Sequence, residues 1–200
     1  SKAQYPFTLT KQDVLNSTCI ADPLKLYDCS PITDGASAVI LTAKNQHVKI
    51  LTSQVATDST GLAGRESITE IKATKLAAQK AFASAKVEPT DIGIAELHDC
   101  FTIAEILALE DIGFAKKGEA GPRLEKGQFK LGSKGLIVNT SGGLKAAGHP
   151  VGATGVKQVV EIVQQLRGTA GKRQVEDAKL GLTHNIGGSG ATAVVHILGI

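Results

Sequence analysis

The chain has 200 residues and a mass of 20.7 kDa, enough for one domain or two small ones, and its 42% hydrophobic and 20% charged content argues against intrinsic disorder. Twenty-two Lys and Arg against 19 Asp and Glu leave a net charge of +3 with no basic block, and aromatics are only 4%, which excludes a nucleic-acid footprint and stacking platforms for bases. No apolar run approaches the ~20 residues of a membrane span, and the polar start Ser1-Lys2-Ala3-Gln4 lacks the order of a signal peptide, so the chain reads as soluble and intracellular.

Residues 1–35 form an irregular lead-in with a short helix expected over 10–16 and breaks at Asp22-Pro23 and Ser30-Pro31. The β-branched and aliphatic runs 36–42 and 48–55 predict two strands. Ser67 three residues before Glu70 has the spacing of a capping box, opening an Ala- and Lys-rich helix to about Lys86. A strand at 92–97 hands over at His98-Asp99-Cys100 to a helix at 101–109. Residues 114–134, rich in Gly, Lys and Glu, look like a surface excursion inside a single domain spanning 1–200. Strand, polar turn and helix recur at 136–139, the Gly-rich turn 141–155 and 156–167. A strand at 180–183, the turn from His184 to Gly188 and a β-branched strand at 191–198 close the chain. The alternation predicts an α/β fold with a mixed sheet.

Three cysteines, Cys19, Cys29 and Cys100, are irregularly spaced without a CxxC pair or clustered His, which disfavours a disulfide scaffold and a metal site. The absence of Met, even at Ser1, marks a processed chain or a piece of a longer one. Turns at the carboxyl ends of strands gather reactive groups in α/β proteins, and here such turns carry His98, Cys100, His149 and Asn185. Cys100, next to a helix start, is expected to favour the thiolate, which makes it a nucleophile or base; the plainer reading is a small buried hydrophobe. Gly143 to Pro150 has the outline of a P-loop, but His149 and Pro150 stand where that pattern needs Lys and a hydroxyl. What remains is a backbone that a ligand can approach closely at Gly148, with an imidazole able to move a proton near neutrality, or simply a Gly-rich turn with an incidental His. Gly187 to Gly190 supplies N–H groups for an oxyanion hole or for a tight hairpin.

Three motifs in order, HDCF at 98–101, GHPVGATG at 148–155 and NIGGSGA at 185–191, resemble the carboxyl-terminal half of a thiolase of the sterol-carrier-protein-2 type, including archaeal acetoacetyl-CoA thiolases. Residues 21–41 are similar to that family's approach to this half, so the resemblance covers essentially the whole chain. It implies a thiolase-like half with a mixed five-stranded βαβαβ-type sheet and helices on both faces. It also implies catalytic roles for His98, Cys100, His149 and Gly187, and substrate contacts at Gly148 and Asn185. His149 would activate a cysteine supplied by the other half, Cys100 would exchange the α-proton, His98 and His149 would hold the enolate oxygen, and the Gly187 N–H would help hold the acyl-enzyme oxyanion.

The implied substrates are coenzyme A thioesters, with no permanently bound cofactor and no metal. The implied partner is an amino-terminal thiolase half, in a homo- or hetero-oligomer located in the cytoplasm, or in the peroxisome of a eukaryote. Neither Cys19 nor Cys29 stands in the family's nucleophile context, so this chain alone is expected to be inactive. A noncatalytic thiolase-like subunit is the alternative, although a structural role requires none of His98, Cys100 and His149. Retro-aldol cleavage on a similar scaffold ranks last.

Overall fold

In the lead-in, the Thr10 hydroxyl accepts from Asp13 N (3.2 Å) while Asp13 accepts from Thr10 N (2.8 Å), and this reciprocal cap opens α1 (Lys11–Asn16). A two-stranded ribbon follows, β1 (Cys19–Ala21) with β2 (Leu24–Lys25). The computed structural model describes residues 3–200, so the first two residues of the expected polar start and lead-in lie outside the described residues.

The remaining strands, β3 (Lys49–Thr57), β4 (Ile94–Glu96), β5 (Ile137–Val138), β6 (Leu180–Gly187) and β7 (Thr192–Gly199), form one mixed sheet in the order β3-β7-β6-β4-β5. The pairs β3/β7 and β6/β7 are antiparallel, whereas β4/β6 and β4/β5 are parallel. Parallel neighbours share an end, so the carboxyl ends of β6, β4 and β5 lie side by side, each followed by or ending in one of the motifs.

Helices cover both faces. The Ala-rich side of α2 (Lys72–Ala85) lies against Ala193, Val195 and Ile197 of β7. It is joined there by Ala108 and Leu109 of α3 (Thr102–Asp111). Two short helices follow, α4 (Ala120–Glu125) and α5 (Gly143–Ala147). On the opposite face, Ile162 and Leu166 of α6 (Thr154–Leu166) pack on Ile94 and Leu198.

Three expectations are corrected, and the surface excursion at 114–134 gains an anchor. Residues 36–42 form no strand, and Ile40 is 92% exposed. A strand needs a neighbour for its ladder bonds, and this segment instead borders a cleft of about 1110 Å³ against Val159, Val160 and Val163 of α6. The Ser67 capping box does not form: Ser67 Oγ accepts from Thr69 N (3.2 Å), and α2 starts at Lys72, where buried Asp111 accepts from Ile71 N (2.7 Å). Residues 114–134 are anchored, since Phe114, Ala115, Ala120 and Phe129 are buried, with the Arg123 guanidinium 4.5 Å from the Phe129 ring centroid. Finally, the segment from His184 to Gly187 is strand, because β6 continues through it in register with β7, so Asn185 lies on β6 and not in a turn.

Candidate active site

His98 and Cys100 leave the end of β4, His149 follows α5 after β5, and Asn185 is on β6. The loop carrying His149 is pinned from β4 by two carboxylates. Glu96 accepts from the Ser141 hydroxyl (2.6 Å) and Ser141 N (3.1 Å), and Asp99 accepts from Leu144 N (2.6 Å) and Lys145 N (3.3 Å) at the start of α5. Gly143, at φ 59, sits where a Cβ would collide with that Asp99 carboxylate. Gly148, at φ 94, lies where a Cβ would be 2.6 Å from Thr33 Oγ1, so the loop and the lead-in touch at backbone range.

The His98 and His149 rings meet edge to face, with centroids 5.0 Å apart and planes at 90°. Burial pushes His98 down to about 4, with His149 adding to the effect and Asn185 beside the ring opposing it. Burial also lowers His149, and the Lys157 ammonium adds to that. Both imidazoles are therefore neutral near pH 7, where each keeps one donor and one acceptor nitrogen. The Thr154 hydroxyl lies within hydrogen-bond reach of both His149 Nδ1 (2.7 Å) and Pro150 O (3.1 Å). With the hydroxyl hydrogen on Pro150 O, the Nδ1 bond takes the ring's hydrogen and His149 Nε2 keeps its lone pair, as a base requires. His98 Nδ1 is buried with no hydrogen-bond partner among the described residues.

Cys100 precedes Phe101, the residue that caps α3, as expected. Its thiol, however, is not shifted toward the thiolate. Burial pushes it up and the Asp99 carboxylate adds to that, while the Phe101 N–H works in the other direction. Cys100 is thus a neutral thiol, and the helix-start argument fails because desolvation outweighs the terminal N–H groups.

Asn185 donates to Gln158 Oε1 (2.9 Å), which ties β6 to α6. Gly187 lies two residues further along β6, where Gly190 N donates to its carbonyl (3.1 Å) in a tight hairpin. The structure therefore brings His98, His149 and Asn185 together, seats Cys100 on the same strand end as His98, and links Gly187 to them through β6. Among the described residues no group of three His, Cys, Asp or Glu is placed to hold a metal ion.

Sequence reasoning missed the supporting residues. Asn139, at φ 53, accepts from Leu97 N (2.7 Å) and donates to Glu105 (3.0 Å). Burial raises Glu96 and Glu105 each to about 7. The lead-in also borders the site: Ser30 N donates to Cys100 O (2.9 Å), His149 N donates to Thr33 Oγ1 (3.3 Å), and Lys145 Nζ reaches Cys29 O. A cleft of about 370 Å³ opens beside Pro150, between residues 33–37 and 150–153. The one sequence signal for this set was a charged residue, Glu96, inside an apolar strand.

Residues 54–200 match the family described as thiolase C-terminal domain-like. The chain is 52% identical over 203 residues to the acetyl-CoA acetyltransferase of Methanothermobacter thermautotrophicus, covering 98% of this chain and 53% of that protein. It is 45% identical over 212 residues to the acetyl-CoA acetyltransferase of Methanocaldococcus jannaschii, with the same two coverages of 98% and 53%. Identity to sterol carrier protein 2 of Bos taurus is 38% over 204 residues, covering 96% of this chain and 37% of that protein. A solved structure named Ltp2-ChsH2(DUF35) aldolase superposes with a TM-score of 0.81 at 26% identity, over 98% of this chain and 52% of that one. The chain thus spans about half the length of its archaeal relatives. Among the described residues no helix is long and apolar enough to cross a membrane.

Proposed function

The chain belongs to the thiolase family through its carboxyl-terminal domain, and from that premise we propose that it is the acid/base and oxyanion half of an acyl-CoA C-acyltransferase. The observation that carries this reading is the edge-to-face pair of His98 and His149 at the strand ends, with His149 Nδ1 held by Thr154 Oγ1 and Cys100 on the same strand end as His98. An amino-terminal half supplies the nucleophilic cysteine. That partner is supported by the length of the archaeal relatives and by the apolar groups exposed over α6. Coenzyme A thioesters are the substrates, in keeping with the names of those relatives.

In thiolysis of a 3-ketoacyl-CoA, His149 takes the proton of the partner cysteine as its sulfur attacks the keto carbonyl. The bond between the carbonyl carbon and the α-carbon then breaks, leaving a thioester on the partner and the enolate of acetyl-CoA. His98 and His149, the latter now protonated, donate to the enolate oxygen, and Cys100 protonates the α-carbon. A thiol whose pKa burial raises is the loaded form for that step. After acetyl-CoA leaves, a second coenzyme A thiol gives its proton to the Cys100 thiolate and attacks the thioester, and the partner cysteine leaves as a thiolate that recovers its proton from His149; condensation runs the same steps in reverse. The Gly187 N–H helps hold the acyl-enzyme oxyanion, while Gly148 and Asn185 shape the substrate pocket.

Acid-quench trapping with labelled acetyl-CoA in the completed enzyme tests these roles. Cys100→Ala should lose ~10²–10⁴ in condensation while still acylating the partner cysteine, and His149→Ala should impair both half-reactions. The aldolase name of the structural neighbour makes carbon–carbon cleavage without acylation the competing chemistry. A protein that cleaves substrate with no trapped thioester, or a Cys100→Ala enzyme that condenses normally, would decide against the thiolase reading.

A further inference from the structure

Lys157 lies in the first turn of α6, where the helix dipole disfavours a cation. Its Nζ donates to Gly143 O (3.2 Å) and to Gly148 O (3.2 Å), the first residue of α5 and the residue that ends it. Five residues are too few for a helix to hold itself, so α5 depends on what grips its ends. Asp99 grips its first N–H groups (Leu144 N, 2.6 Å), and the chain leaves through Gly148 at φ 94 straight into His149.

We propose that Lys157 is a positioning residue that clasps both ends of α5 and thereby fixes the turn from Gly148 to Pro150 and the place of the His149 imidazole. The charged and titratable groups around the ammonium are Glu96 and Asp99 from the β4 end, Glu161 on α6 with its partner Arg173 (2.8 Å), and His149 itself, with His98 behind His149. Neutralising three carboxylates would require only a cation somewhere among them. Two bonds to carbonyls at opposite ends of one short helix require the donor to be at this place. The clasp rests on the thiolase reading only for its consequence in catalysis, since its geometry concerns the loop alone.

Ring-labelled histidine NMR and amide exchange on the complete protein test it without reference to turnover. Lys157→Met keeps the aliphatic stem and removes the charge and both donors. It should raise the titration midpoint of His149, because a positive neighbour is lost, and speed exchange at Ala146 N, held by Gly142 O (2.9 Å), by about 10-fold or more. Lys157→Arg should leave both readings near those of the unmodified protein. If Lys157→Met does not fold, Lys157→Gln carries the same expectation. An uncharged variant that folds with the Ala146 exchange unchanged overturns the proposal, even where the His149 midpoint rises, since loss of the charge alone moves that midpoint. The His149→Ala trapping experiment would be untouched by that result, so failure of the clasp and failure of the acyltransferase reading can be told apart.

Discussion

The two faces of the sheet are built on opposite rules. Under α2 and α3, Ala73, Ala77 and Ala81 meet Ala193, Val195 and Ile197 with essentially no solvent exposure, and small residues let the helix lie close to the strands. Under α6 the interior is mixed, with polar groups buried beside Ile162 and Leu166. Gln158, Glu161 and Gln165 are buried, bound to His184 O, Arg173 and Thr140, while the valines of the helix remain half-exposed. Beyond α6 the same face stays open. Ile50 pairs with Leu198 and Val55 with Val194 on that side, and Val55 is 56% exposed. One face is completed by this chain and spends its interior on stability; the other spends its interior on holding β6 and the site loop, which fits the proposal that another half covers it.

The largest effect should come from breaking the completed face. Leu109→Ala removes a fully buried side chain from the cluster under α3 and should cost ~2–5 kcal/mol in urea unfolding, whereas Val55→Thr on the open face should stay within ~0.5 kcal/mol. Equal costs would mean that both faces are closed in this chain. The same contrast sets the solution state: with that face open the isolated chain should self-associate, and a monodisperse 20.7 kDa monomer by light scattering would count against the open face.

The polar interior should also make stability depend on pH in two opposing ways. Glu96 and Glu105, raised to about 7, hold protons that the unfolded chain releases near its ordinary value of 4.5, so their contribution is lost as pH rises from 4.5 through 7. His98 and His184, lowered to about 4 and about 3, act oppositely: their contribution is present above 6.5 and lost as pH falls toward those values. Glu96→Gln keeps an acceptor for Ser141 and should remove on the order of 3 kcal/mol of the loss between pH 4.5 and 8. Unfolding curves with the same pH dependence in both proteins would show that Glu96 is already charged at neutrality and the interior wetter than its burial implies.

Much of this was legible in the sequence, because α6 and β7 carry strong hydrophobic periodicity and the three motifs carry their own context, while only the first half of β6 reads as a strand. The failures share a cause. Residues 36–42 have the composition of a strand, but pairing depends on a neighbour that composition cannot supply. The Cys100 environment was judged from a helix start next to it in the chain, while its thiol answers to burial, which is set by the packing of distant segments. Lys157 and Asn139 carry no motif at all. Each matters through backbone atoms that folding brings to it, Gly143 O and Gly148 O for the first and Leu97 N for the second.

The start of α2 gives the smallest effect and the cleanest separation of local from tertiary control. Ser67 and Glu70 have the spacing of a capping box, yet the first free N–H at the helix start, Ile71 N, is taken by Asp111, 40 residues away and nearly buried. Ser67 Oγ instead closes a local turn at Thr69 N, and Glu70 pairs with Lys75 (2.7 Å) at the surface. If the tertiary acceptor sets the boundary, Ser67→Ala should change stability by no more than ~0.5 kcal/mol, as at an ordinary surface position. Asp111→Ala leaves a buried N–H without an acceptor and should cost ~1–3 kcal/mol. Asp111→Asn, which retains a carbonyl oxygen near Ile71 N but loses the charge facing Lys117 (3.6 Å), should fall between the two. Were Ser67→Ala instead to cost as much as Asp111→Ala, the local capping pattern would govern the start of α2 after all, and the same reading would apply to the sequence just before it.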